Sequence, residues 1–380
     1  MADSFCGHAR AHIRMRACIN KGCPMVKYIL KRLLISIIIL FFALFIIYLM
    51  LRCMPTSYIE NKARQLAASS AASGKNYEVW LEQLKSQYGM EKGGFSGIIE
   101  GFFTWLCHIC GIKVKPHFLS DGSINPAWVS EQTGFGDSWA YTIPVVEKFN
   151  ETVWVSFIMS AISFVLEILI AIPLGIIAAR KQYHWQDYVI TVIAIAGISL
   201  PSFFSATILK LIFCIDLQWF DISGLVSTSY MQMNAWQQFW DKANHLFLPI
   251  LNLTLLSIGS LMRYTRTNML EVMNSDYIRT ARAKGLSEHK VIYKHAFANT
   301  LIPLVTVLGG SLPGLFSGSL ITETLFKIPG IGYISYQAMI KGDIPFTMFY
   351  SAFLAILTLL GTLIADILYG VVDPRVRINA

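Results

Sequence analysis

Residues 33–51 read LLISIIILFFALFIIYLML, 19 positions without a charged side chain. Backbone N–H and C=O groups have no water to bond in hydrocarbon, so such a run folds as a helix that closes its own hydrogen bonds. About 20 residues at 1.5 Å rise cross the ~30 Å apolar core. Five further charge-poor runs follow, at Val153–Ala178, Tyr188–Leu217, His245–Met262, Thr300–Ile321 and Phe349–Val372. The 380-residue chain is only 14% charged, where a soluble domain carries about 25%. The expected fold class is therefore all-α, a polytopic membrane protein with six transmembrane helices. The fourth run is diluted by Asn252, Thr254, Ser257 and Ser260. Polar groups of that kind face neighbouring helices rather than lipid.

Charge sets the orientation. With the N-terminus inside, segments 1–32, 179–187, 263–299 and 373–380 hold 18 Lys and Arg against 6 acidic residues, while the outside segments hold 12 against 14. This asymmetry follows the positive-inside rule and puts both termini in the cytoplasm. The expected division is a cytoplasmic segment 1–32, a first helix 33–51, an extracytoplasmic segment 52–150, a membrane core 151–372 and a cytoplasmic tail 373–380. The formal net charge of +8 flanks spans, so it is a topology signal and not a nucleic-acid surface. The first run is about twice too long for a signal peptide, has no small-residue cleavage site nearby, and places Arg52 before Cys53; it reads as a retained helix. Residues 1–24 differ in composition from MVKYILKRLL, which starts at Met25; they are expected to be disordered or an over-extended start.

The outside segment carries two helical patterns. Tyr77, Trp80, Leu81, Leu84 and Tyr88 form one apolar stripe. Ile98–Ile109 is apolar almost all round, suited to the bundle surface or the interface. Lys113–Gly136 is rich in turn residues and reads as an exposed loop. Cys107 and Cys110 form a lone CxxC inside FFTWLCHIC; with no second pair, packing is the better reading and no metal site is expected. No Gly is followed by four residues and Gly-Lys-Ser/Thr, so the chain has no phosphate-binding loop of its own. HExxH, GxSxG and GxGxxG are absent as well.

Between the fourth and fifth runs lies DYIRTARAKGLSEHKVIYKHAFANTLIPL, Asp276–Leu304. Ser275 or Asp276 is placed to cap a helix. On it Tyr277, Ile278 and Ala281 share one side, while Arg279, Arg282 and Lys284 point elsewhere. Gly285 ends the helix in the left-handed conformation that glycine favours. Ser287 caps a second helix, with Glu288 in its first turn where negative charge suits the dipole. Val291, Ile292 and Ala296 make its apolar side, and the small Ala281, Ala283 and Gly285 admit close approach of another surface. A short helix pair with a glycine turn, on the cytoplasmic side, suits insertion into a partner's groove. An ordinary positive-inside loop with some helix is the alternative.

Asp276–Leu286, reading Asp-Tyr-Ile-Arg-Thr-Ala-Arg-Ala-Lys-Gly-Leu, resembles the cytoplasmic EAA loop of ABC importer permeases, in the variant of the oligopeptide/dipeptide B-type subunits. Arg279 and Thr280 stand where the wider pattern has Glu and the first Ala, and His295–Ala298 replaces its Ile-x-Leu-Pro; both departures are those of the peptide branch. The likeness extends to Tyr28–Leu34, Ile172–Gly175, Gly197–Phe203, Glu323-Thr324, Phe326–Gly332, Gly342–Pro345 and Asp373–Arg377. It implies a subunit without catalytic chemistry, with an EAA loop at 271–304 whose Asp276, Tyr277, Arg279, Thr280, Ala281, Arg282, Ala283, Lys284, Gly285, Leu286 and Ser287 couple it to an ATPase. The implied partners are a second related permease, two cytoplasmic ABC ATPases and an extracytoplasmic substrate-binding protein. No cofactor is implied, since the ATPase subunits bind the ATP. The same machinery in this family also imports nickel or other small solutes. A stand-alone secondary transporter would want internal repeats and several intramembrane charges, and neither is evident.

Within the spans, Pro173 and Pro201 each free a carbonyl and kink a helix, with Gly175 and Ser202 nearby to allow bending or tight packing. Glu167 is the carboxylate near mid-span, where burial is costly enough to make it a functional candidate. These five residues are the expected translocation-path set. Lys210 lies too far toward the outer end to pair with Glu167.

Overall fold

The computed structural model of the chain describes residues 24–53, 58–69, 76–87, 94–109 and 135–372. The expectations for residues 1–23, the loop at 113–134, Cys110 and the tail 373–380 lie outside the described residues.

The chain is built of helices: α1 (Pro24–Cys53), α2 (Tyr58–Ser69), α3 (Tyr77–Gln87), α4 (Gly94–Ile109), α5 (Val145–Arg180), α6 (Trp185–Ser199), α7 (Ser202–Lys210) and α8 (Ala235–Met273). Then come α9 (Asp276–Ala283), the rod of α10 (Glu288–Lys290), a π-helical turn and α11 (Ala298–Ser311), then α12 (Leu320–Phe326), α13 (Ile331–Lys341) and α14 (Ile344–Val372). Among the described residues, five helices are long and apolar enough to cross a membrane, six if the bent pair α6–α7 is one span. The all-α membrane class therefore stands, with the run at Tyr188–Leu217 corrected. That run is not one helix: it turns by 102° between Ser199 and Ser202. Proline holds the preceding residue in extended backbone, and Leu200 has φ −77° and ψ 123°. Pro201 is thus not a helix-interior kink. It is the residue before the first turn of α7, and its carbonyl accepts from Phe204 and Ser205. The run at Thr300–Ile321 is likewise interrupted, since the rod ends at Phe316 and Gly318, at φ +71°, precedes α12.

α5 and α8 are longer than their apolar runs. Val145, Phe149 and Val153 continue α5 outward because they pack on Ile331, Ile334, Ala338 and Phe346. Asn234 starts α8 with a reciprocal capping box to Gln237. Beyond the apolar stretch, Trp236, Phe239 and Trp240 stay more than half exposed, as suits rings at the membrane interface. Of the polar residues of the fourth run, Asn252 and Thr254 do face neighbours, while Ser260 is exposed. Asn252 is fully buried, accepts from Ser205 Oγ at 2.6 Å and donates to Thr322 Oγ1 at 3.1 Å. Thr254 donates to Ser163 Oγ at 3.1 Å.

Outside this core, α1 lies on α14 through Leu44, Tyr48, Met348 and Ala352, with Phe102 of α4 closing the cluster. Helix α4 thus packs on the bundle. The α3 stripe is as the spacing predicts for Tyr77, Trp80, Leu81 and Leu84, with Leu84 buried against Ile59 and Ala63 of α2; Tyr88 lies outside the described residues.

Candidate functional site

The segment after α8 forms the helix-turn-helix expected of it, although Ser287 makes no side-chain cap bond at the start of the second helix. Leu286 N–H reaches Ala281 O at 3.4 Å, and Gly285 N–H reaches Arg282 O at 2.9 Å. Gly285 has φ +76°, while a β-carbon there would meet nothing within 4 Å. Conformation, not space, therefore calls for glycine. Ser275 precedes α9 without a side-chain cap bond; its Oγ donates to Val272 O at 2.6 Å. Across the turn Arg282 donates from Nε and Nη2 to the two oxygens of Glu288, at 3.2 and 2.8 Å. Those bonds hold the Arg282 guanidinium further above its already high range.

One face of this unit is committed to the protein's own core. Ile278, Ala281, Val291, Ile292 and Ala296 are buried with Ile176 and Ala179 of α5 and Met269 of α8. Asp276, Tyr277, Arg279, Thr280, Arg282, Ala283, Lys284, Gly285, Leu286 and Ser287 are exposed. Tyr277 departs from the predicted side: it is 48% exposed where Ile278 is 0%, because consecutive helical residues point about 100° apart. Ala281 likewise serves the inner contact, leaving Ala283 and Gly285 as the small residues on the open surface. The result is a firmly seated, basic prominence with a glycine at its tip.

The mid-membrane candidates are dispersed. Glu167 is partly buried on α5, and Ser257 of α8 is its side-chain hydrogen-bonding neighbour. Lys210 instead donates to Leu325 O at 2.7 Å. Pro173 and Pro201 are exposed and Ser202 is half-buried. Gly175 is buried at the α5–α8 contact, where a β-carbon would lie 2.7 Å from Thr265 Cβ and 2.8 Å from Met262 O.

Three carboxylates that sequence reasoning left without a role organise the rest. Glu323, fully buried, accepts from Ser156 Oγ at 2.7 Å, Ser319 N at 2.9 Å and Tyr333 N at 2.8 Å. Ser156 in turn accepts from Ile331 N at 2.8 Å. Asp343, also fully buried, accepts from Ala140 N at 3.0 Å, from Phe346 N at 3.1 Å and from Ser138 Oγ. Asp187 takes Arg266 Nε at 2.7 Å and Nη2 at 2.8 Å. The signal available was an acidic residue in or beside a span, but their donors are mostly backbone groups and distant hydroxyls, which leave no spacing pattern. Among the described residues no group of three His, Cys, Asp or Glu is placed to hold a metal ion.

Fold and site together define a helical, multi-span membrane protein that presents an exposed, basic helix-turn-helix. The family of binding-protein-dependent transport system inner membrane components matches residues 171–378, and the chain belongs to that family. The oligopeptide transport system permease protein AppB of Bacillus subtilis is 36% identical over 234 residues, 62% of this chain and 72% of that one. The dipeptide transport system permease protein DppB of Lactococcus lactis is 30% identical over 355 residues, covering 93% of this chain and all of its own. The oligopeptide transport system permease protein OppB of Salmonella typhimurium is 29% identical over 361 residues, with the same coverage. Among solved structures, an inward-facing MetNI methionine ABC transporter is 18% identical with a TM-score of 0.46, over 60% of this chain and 98% of that chain.

Proposed function

We propose that this chain is the permease subunit of an ATP-driven ABC importer of the bacterial inner membrane, forming half of a pore for oligopeptides or dipeptides. A second related permease completes the pore, an extracytoplasmic binding protein delivers the peptide, and two cytoplasmic ATPases bind the ATP. The chain carries no catalytic chemistry and no cofactor of its own, and both termini lie in the cytoplasm. The observation that carries this reading is the exposed, basic Asp276–Ser287 prominence seated on the ends of α5 and α8. Tyr277, Arg279, Thr280, Arg282, Ala283, Lys284, Gly285 and Leu286 offer the docking surface. Ile278, Ala281, Val291 and Ile292 carry its movement into the spans. ATP then shifts the pore between inward- and outward-facing states through its differential affinity for the closed ATPase dimer. The peptide branch is supported by the similarity to oligopeptide and dipeptide transport permeases.

Glu167, Pro173, Pro201 and Ser202 are the proposed path residues, with Glu167 placed to meet a peptide's amino terminus. In proteoliposomes holding the complete transporter, ATP-driven accumulation of a labelled peptide tests the assignment. Glu167→Gln is expected to lower uptake several-fold while the ATPases stay bound. Wild-type uptake by this variant would remove Glu167 from the path, and absence of ATP-driven peptide uptake by the intact complex would refute the substrate class.

A further inference from the structure

The turn between α5 and α6 contains a backbone outlier. Tyr183 has φ +63°, a left-handed conformation that a bulky residue rarely adopts. Its surroundings enforce it. Asp187, almost fully buried, accepts the Tyr183 N–H at 3.1 Å, and Arg266 of α8 grips that same carboxylate through two bonds. His184 N–H closes the turn on Lys181 O at 2.9 Å. Strain of this kind persists only where neighbouring structure over-determines it, and it gathers at functional positions. Here it holds the Tyr183 ring out of the fold, 76% exposed.

This turn is continuous with the docking prominence. Ile176 and Ala179, one turn back along α5, are packed in the same cluster as Ile278, Ala281 and Val291. Arg180, exposed, lies within electrostatic reach of Glu288 across the gap. Two prominences therefore rise from one floor: the glycine turn at 284–287 and the tyrosine turn at 181–184.

We propose that the 181–184 turn is a second contact for the docked ATPase, with the Tyr183 ring as its anchor and Arg180 beside it; this rests on the docking reading above. A lipid headgroup accepts any amphipathic ring and needs no strained backbone. Trp185 and Tyr188, on the helix that follows and more than half exposed, suffice for the membrane interface. A protein partner gains from a ring fixed in advance, because preorganisation removes an ordering cost from binding, and tyrosine and arginine dominate protein contacts.

Tyr183→Gly separates this role from a structural one, since glycine removes the ring and also relaxes the backbone. In the complete transporter in lipid nanodiscs, this variant should bind the ATPase subunits about tenfold more weakly, the loss of one anchor residue. Its thermal midpoint should not fall, and Tyr183→Phe should restore binding. A photo-crosslinking phenylalanine at 183 should capture an ATPase subunit. Wild-type affinity in Tyr183→Gly, a fall in its thermal midpoint, or capture of lipid alone would overturn the second contact. Scrambling Arg279–Lys284 around a retained Ala281 is the parallel arm. If the scramble releases the ATPases and Tyr183→Gly does not, the failure is confined to this turn; if neither releases them, the docking reading itself fails.

Discussion

Glu323→Ala is expected to cost the protein most of its margin of stability. The carboxylate is fully buried and receives Ser156 Oγ, Ser319 N–H and Tyr333 N–H. Truncation leaves one buried and two part-buried donors without an acceptor, at up to roughly 1–3 kcal/mol each, against a typical total stability of about 5–15 kcal/mol. The damage spreads because the site is a junction. Ser156 belongs to α5, Ser319 to the loop before α12, and Tyr333 to the first turn of α13. The space is equally tight: a β-carbon on Gly330 would lie 2.5 Å from both Glu323 Cδ and Ser156 Oγ. In detergent, the thermal midpoint and the monodisperse yield should both drop sharply. Glu323→Gln should be milder, because its remaining carbonyl oxygen still accepts while its amide faces donors. A Glu323→Ala protein that melts with wild type would show that the carboxylate is not what joins these three elements.

Gly175→Leu should separate α5 from α8. The β-carbon alone would stand 2.7 Å from Thr265 Cβ and 2.8 Å from the Met262 carbonyl oxygen, and a backbone atom cannot swing aside. Overpacking of this kind costs about 1–3 kcal/mol for small insertions, and a leucine adds three further carbons. Gly259 repeats the arrangement on the other side of α8, where a β-carbon would meet the Ala194 carbonyl of α6. The two readings of Gly175 predict different results. A residue that lines the path would change uptake and leave melting unaltered. A residue at a helix contact lowers the thermal midpoint, and even Gly175→Ala should lower it measurably. Wild-type melting of Gly175→Leu would contradict the packing seen here.

Much of this was legible because the bilayer allows few solutions. Apolar runs mark α1, α5, α8, the rod ending in α11, and α14. The spacing of Tyr77, Trp80, Leu81 and Leu84 marks α3, and Gly285 marks the turn after α9. The third span misled because hydropathy averages over direction. Leu200-Pro201 is apolar enough to continue a run, yet it turns the chain by 102°. Tyr277 misled because a 3.6-residue period assigns neighbours to one side too readily in a helix of 8 residues. Asp187, Glu323 and Asp343 were hidden for another reason. Their partners are backbone N–H groups, Arg266, Ser156 and Ser138, up to 205 positions away, and only the folded chain brings them together.

The central claim is that Asp276–Ser287 docks this membrane subunit to its ATPases. The most direct measurement is co-purification of the ATPase subunits with the wild-type permease and with a permease whose Arg279–Lys284 stretch is scrambled around a retained Ala281, with Ile278, Gly285 and Val291 also left in place to keep the buried face and the turn. The ATPases should come down with wild type and be lost from the scrambled variant, while both permeases melt alike. Full recovery of the ATPases with the scrambled stretch, or an active transporter with no ATPase at all, would contradict it.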